Sequence, residues 1–298
     1  MPIESVTVTA AKPSEETIKS FVETRAAPTY VLGRMARWMS KLCPVTVGLG
    51  DKYAKYVSQR IRDVASSVGA RVNSDPGCRP NIEVVFTTTP QGLMDRVRQT
   101  QPLLLGCHSN LHKADELARV THPIQAWYTT VSQDMGGSKQ IDVGRCGING
   151  GTKLNVTTDA ATETGGAATV GGSQLVLPCA FVVHVSGSRA KDGLSSGFFN
   201  VLIVAEPGKL LDHEVGALAD YIAMLALSQP ASLDSCQELP SISNMLAPGC
   251  ASISNRITDG DLAFLHAFYK LPEGNFLAAQ RNYVRYEMKN ILVNDTPK

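Results

Sequence analysis

The run Phe198–Ala205, Phe-Phe-Asn-Val-Leu-Ile-Val-Ala, constrains the fold more than any other stretch of the chain. Its β-branched and aromatic residues predict a strand. Successive side chains of a strand point to opposite faces, and here nearly all of them are apolar. Such a strand has to be covered on both faces, which places it inside a sheet rather than at its border. The stretch that follows, Leu210–Leu227, reads as a long helix.

Upstream, strand and helix signals alternate. An amphipathic stretch, Glu15–Lys41, carries Ile18, Phe21, Val22, Met35, Trp38 and Met39 and predicts a helix interrupted near Ala27-Pro28. Val45–Leu49 and Ile82–Phe86 predict strands. Between them Asp51 caps a helix to about Val68, with Tyr53, Tyr56, Val57, Ile61 and Val64 at helical spacing. Pro90 opens another helix, His108–Val120 a further one, and Ile124–Ser132 is β-rich. This pattern predicts an α+β fold, with a mixed α/β N-terminal part over 1–143 and a C-terminal part over 175–298. The two parts can pack as one domain. Between them, residues 144–174 are rich in glycine and threonine and poor in large apolar residues, which predicts an arm or loop. Helices are expected over Asp259–Tyr269 and Phe276–Leu292.

A formal net charge of +1 gives no electrostatic footprint for nucleic acid. No apolar run approaches the roughly 18–20 residues of a membrane span. The seven cysteines form no C-x-x-C, so a zinc ribbon or a thioredoxin-type site is not expected. Cys43 and Cys78 stand in loops before two strands, and Cys236 and Cys250 flank a short helical stretch. These positions predict the disulfides Cys43–Cys78 and Cys236–Cys250, with Cys146–Cys179 as a third pair across the Gly-rich arm. Disulfides imply a periplasmic or secreted protein whose signal peptide has been removed; a cytoplasmic location with reduced thiols is the alternative.

His213-Glu214-Val215-Gly216-Ala217 differs from the zinc-protease signature H-E-x-x-H in its last residue. In that signature two histidines on one helix face hold Zn²⁺, and the glutamate takes a proton from the bound water. The order of elements around it, a buried strand, this helix, then Ser241–Leu246 and Ile257–Tyr269, resembles the zincin-like metallopeptidases over Phe198–Leu271. The resemblance implies a zincin-like C-terminal fold, with His213 in the place of the first ligand, Glu214 in that of the catalytic base and Met245 in that of the Met turn. Ala217 and Ala223 stand where the other two ligands belong. It therefore implies a degenerate, non-catalytic metallopeptidase without a cofactor, binding a peptide or another envelope component in the remnant cleft. The alternative is a zinc-dependent hydrolase with ligands drawn from His213, Asp220, His184 and His266 and with Glu214 as base. The whole chain also resembles uncharacterised proteobacterial envelope proteins, which implies no activity.

Two other motifs bear on chemistry. His108 and His112, at i and i+4, would share a helix face, with Cys107 and His122 as further ligands. Gly193–Gly197 satisfies G-x-S-x-G, but a strand follows it where a nucleophile elbow needs a helix. Tyr53, Tyr56, Trp127, Tyr128, Phe198 and Phe199 sit at periodic positions and are expected in the core.

Overall fold

A computed structural model describes residues 12–108, 111–142, 154–155, 174–175 and 192–294. In chain order the elements are α1 (Glu15–Arg25), β1 (Pro44–Val47), α2 (Asp51–Ser67), β2 (Ile82–Phe86), α3 (Pro90–Thr100), α4 (Leu111–Leu117), β3 (Ile124–Gln133) and β4 (Lys139–Ile141). Then come β5 (Leu154–Asn155), β6 (Gln174–Leu175), β7 (Ser195–Ala205), α5 (Val215–Leu227), α6 (Asp259–Tyr269) and α7 (Leu277–Lys289).

The main sheet has the order β1-β2-β7-β3-β4. β1, β2 and β7 run parallel, while β3 is antiparallel to β7 and to β4. The apolar run is thus the central strand. Val201, Ile203 and Ala205 enter the larger core on one face, and Leu202 and Val204 enter a second core on the other. Over the first face lie α1, α2, α5, α6 and α7. Over the second, α3, α4 and the 3₁₀ turn Pro102–Leu105 enclose Met94, Val97, Leu105 and Trp127. This is the α+β class expected from the sequence. The C-terminal part supplies the strand between β2 and β3, both from the N-terminal part, so the two parts share one sheet and one core.

Several boundaries differ from expectation. α1 ends at Arg25, and residues 26–43 run as an irregular strap with bridges Pro28–Met35, Arg37–Gly197 and Leu42–Val72. Pro28 disfavours helix in the residue before it and offers no N–H. Met35 and Trp38 are nevertheless buried, and Trp38 Nε1 donates to Ala226 O at 2.8 Å. The helix expected from Leu210 starts only at Val215. A turn, in which His213 N donates to Leu210 O, first buries Leu210. Glu214 then takes the extended N-cap conformation. α4 likewise starts at Leu111, so His108 precedes it. Gly48 has to be glycine: its φ is +85°, and a Cβ there would stand 1.9 Å from Phe86 O. That close approach seats the β1–α2 turn against the end of β2.

The disulfides Cys43–Cys78 and Cys236–Cys250 are both formed. The expected pair Cys146–Cys179 and most of the Gly-rich segment lie outside the described residues. Among the described residues, no helix is long and apolar enough to cross a membrane.

Candidate binding groove

A groove of about 960 Å³ runs along the sheet edge formed by β1, between that strand and α2. One wall is the α2 face bearing Lys52, Lys55, Gln59 and Arg62, and the other is β1 with the loop that Cys78 ties to Cys43. At one end the groove reaches Val215 and Gly216, the first turn of α5. Its volume lies near the upper end of the roughly 300–1,000 Å³ usual for ligand pockets.

α2 is placed by its buried stripe Val57, Ile61, Val64 and Ala65, which packs into the larger core. Tyr53 and Tyr56 fall outside that stripe. They are 50% and 47% exposed and line the groove. The expectation that both belong to the core is therefore corrected: Val57 and Ile61 define the apolar face, and the tyrosines lie beside it. Phe199 is also partly exposed, at 42%, whereas Trp127 and Phe198 are buried as expected.

The outer edge of β1 is closed. Cys43 O accepts from Ile82 N, so residues 43, 45 and 47 direct their amides to β2, and residues 42, 44 and 46 direct theirs outward. Leu42 N donates to Arg71 O and Leu42 O accepts from Asn73 N. Pro44 has no N–H, and its carbonyl accepts from Arg62 Nη2 at 3.3 Å. Arg62 Nη1 also donates to Asn73 O at 3.1 Å. The Thr46 side chain accepts from Ser58 Oγ at 2.9 Å, and the residue is only 7% exposed. Proline, a bridging arginine and a stapled loop protect this edge against pairing with another strand.

The described residues named for the alternative zinc site are not gathered into a metal-holding group. His213 and Glu214 precede α5, so neither has the in-helix position that an H-E-x-x-H frame requires. Asp220 is buried on α5, where it binds the Arg60 guanidinium and accepts from Ile257 N at 2.7 Å. His266 is on α6, and His184 lies outside the described residues. Among the described residues, no group of three histidine, cysteine, aspartate or glutamate side chains is placed to hold a metal ion. Met245 is buried in a 3₁₀ turn, Ile242–Met245, that packs into the larger core.

The other motifs resolve into structural contacts. His108 Nδ1 lies 2.9 Å from Gly106 O, while His112 on α4 contacts Glu116 Oε1 at 3.2 Å. Cys107 is disulfide-bonded, which removes its thiolate from any ligand set. Ser195 begins β7 and accepts from Gly274 N at 3.0 Å. The row Thr121 Oγ1, His122 and Asp234 has no signature in the residue pattern. There His122 Nδ1 is 2.8 Å from the hydroxyl and Nε2 is 2.9 Å from the carboxylate. Asp234 is distant in sequence, so no spacing could announce that contact.

No protein-family model, curated protein or solved structure matches the chain.

Proposed function

We propose that the protein is an exported, non-catalytic binding module that takes an extended peptide in the groove between α2 and β1. The observation that carries this reading is the exposure of Tyr53 and Tyr56 beside a groove of about 960 Å³. Half-exposed tyrosines offer a rigid apolar surface and a polar tip at low entropic cost, the combination used at recognition surfaces. The groove's lining favours holding a ligand over transforming one. Its ionisable side chains are Asp51, Lys52, Lys55, Arg62 and the two tyrosines, its cysteines are tied in a disulfide, and the Ser58 hydroxyl is spent on Thr46. Export is supported by the disulfides, which persist in oxidising compartments.

The position of the groove at the first turn of α5 fits the notion of a remnant cleft beside a degenerate H-E-x-x-H segment. The zinc-hydrolase alternative asks for His213 and Glu214 to act from a turn rather than from a helix.

The test is a binding screen on an array of short randomised peptides, repeated with Tyr53→Ser/Tyr56→Ser. The wild-type protein should retain a defined subset of peptides and the double variant should lose it. Equal retention by both proteins would refute the groove as the site. One equivalent of zinc, lost in His213→Ala, would favour the hydrolase instead.

A further inference from the structure

From the charges around the groove we infer that its occupant is an acidic peptide segment, read by side chains at the rim and not by strand pairing. This inference rests on the groove being the binding site.

Peptide grooves beside a sheet edge usually bind main chain to main chain, which gives affinity with little regard to sequence. That route is closed here. Leu42 is already bridged to Val72, Pro44 has no donor, the Pro44 carbonyl is taken by Arg62, and Thr46 is covered. Recognition therefore falls to the side chains along the walls.

The charged ones among them are mostly cations. Lys52, Lys55 and Arg62 line the groove against a single carboxylate, Asp51, in a chain whose total net charge is only +1. Asp51 opens α2, where a negative charge offsets the helix dipole. Lys52 and Lys55 make no ion pair among the described residues and are exposed. Arg62 donates to two carbonyls and makes no ion pair among the described residues. Gln59 stands among the cations on the α2 wall, and the tyrosines, the prolines and the disulfide add apolar surface to the lining. A lining that sets apolar surface beside cations complements a segment that alternates acidic and apolar residues.

Spacing sets its length. From Lys52 to Arg62 the helix rises about 15 Å, which an extended chain covers in about five residues. Alternate side chains of an extended strand point the same way and lie roughly 7 Å apart. Carboxylates at alternate positions can therefore face the lysines and Arg62, with the intervening side chains against the tyrosines and prolines of the lining.

The experiment is fluorescence anisotropy with three labelled short peptides. One alternates Glu and Leu, one replaces Glu by Gln, and one replaces Glu by Lys. The Glu peptide should bind best, and its affinity should fall as salt screens the rim. Lys52→Glu/Lys55→Glu should weaken it by about tenfold or more and reverse the preference toward the Lys peptide, since each exposed pair contributes modestly and reversal makes it repulsive. Unchanged far-UV circular dichroism and melting would show that the variant is folded. If the Glu and Gln peptides bind equally and charge reversal changes neither, the acidic preference is overturned and the groove reading survives. If no peptide binds, both fall. Binding of anionic vesicles through the same lysines, with none of the Glu peptide, would also overturn the inference.

Discussion

Asp261 is fully buried and holds two segments together, so its replacement tests the packing of the C-terminal part directly. Its Oδ1 accepts from Ser241 Oγ at 2.6 Å. Its Oδ2 accepts from Ile242 N at 2.8 Å, from Thr258 N at 3.0 Å and from Thr258 Oγ1 at 2.9 Å. Thr258 in turn accepts from Asp261 N, which completes a capping box on α6. In Asp261→Ala the hydroxyls can turn to other acceptors: the single Thr258 hydroxyl proton has Pro240 O within reach at 2.7 Å. The two backbone N–H groups cannot. At about 1–3 kcal/mol for each donor left without a partner, the loss should be about 3–4 kcal/mol, a large share of a typical total stability of roughly 5–15 kcal/mol.

Asp261→Asn should behave differently. Its amide oxygen can serve the three donors at Oδ2, and its NH₂ can face Ser241 Oγ. Burial pushes the Asp261 carboxyl above its ordinary range, outweighing the four donors that pull it down. A carboxyl raised in the folded state contributes most below its unfolded pKa, and that contribution is lost as pH rises through the folded value. The Asn deficit should thus narrow between acid and neutral pH, and at neutral pH it should be about 1 kcal/mol. Chemical unfolding followed by circular dichroism reads both variants. If Ala costs under about 1 kcal/mol, the network does not hold these segments together; if Asn is as damaging as Ala, the charge matters and the acceptor count does not.

Two further outcomes follow from burial and from covalent topology. Burial raises the pKa of Tyr128 and Tyr269 and pushes Tyr221 up to about 12. Their contribution is full below the unfolded value of about 10 and is lost as pH rises beyond it. Stability measured against alkaline pH should therefore hold to about pH 10 and then fall, with these phenols ionising only as the protein unfolds; phenolate absorbance of all eight tyrosines in the native state would contradict this. The disulfides Cys43–Cys78 and Cys236–Cys250 close loops with sequence separations of 35 and 14. Loop entropy then predicts losses of about 4 kcal/mol for Cys43→Ser/Cys78→Ser and about 3 kcal/mol for Cys236→Ser/Cys250→Ser, and the reverse order in chemical denaturation would count against that account.

Much of the scaffold was legible because it rests on local pattern. An apolar run in Phe198–Ala205 can only be an interior strand, and β7 is the centre of the sheet. α6 runs over Asp259–Tyr269 as expected, and its start is held by the local capping box of Thr258 and Asp261. The pairs Cys43–Cys78 and Cys236–Cys250 were readable from loop positions. What failed was also local pattern, taken too far. Helical spacing put Tyr53 and Tyr56 with Val57 and Ile61, but the burying arc of α2 is set by where β1 and α5 lie, and the tyrosines fall beyond it.

The start of α5 shows the same division. Nothing in Leu210–Glu214 forbids a helix, yet the link from β7 has to turn and bury Leu210 before the helix can lie over the sheet, and this leaves His213 and Glu214 outside it. The groove had no signature in the sequence at all. It exists because Cys78, Arg62 and Pro44, each unremarkable in its own segment, meet at one sheet edge. Residue pattern along the chain determined which segments are strands and helices. Which side chains share a surface was decided by packing between segments far apart in sequence, and periodicity carries no record of that.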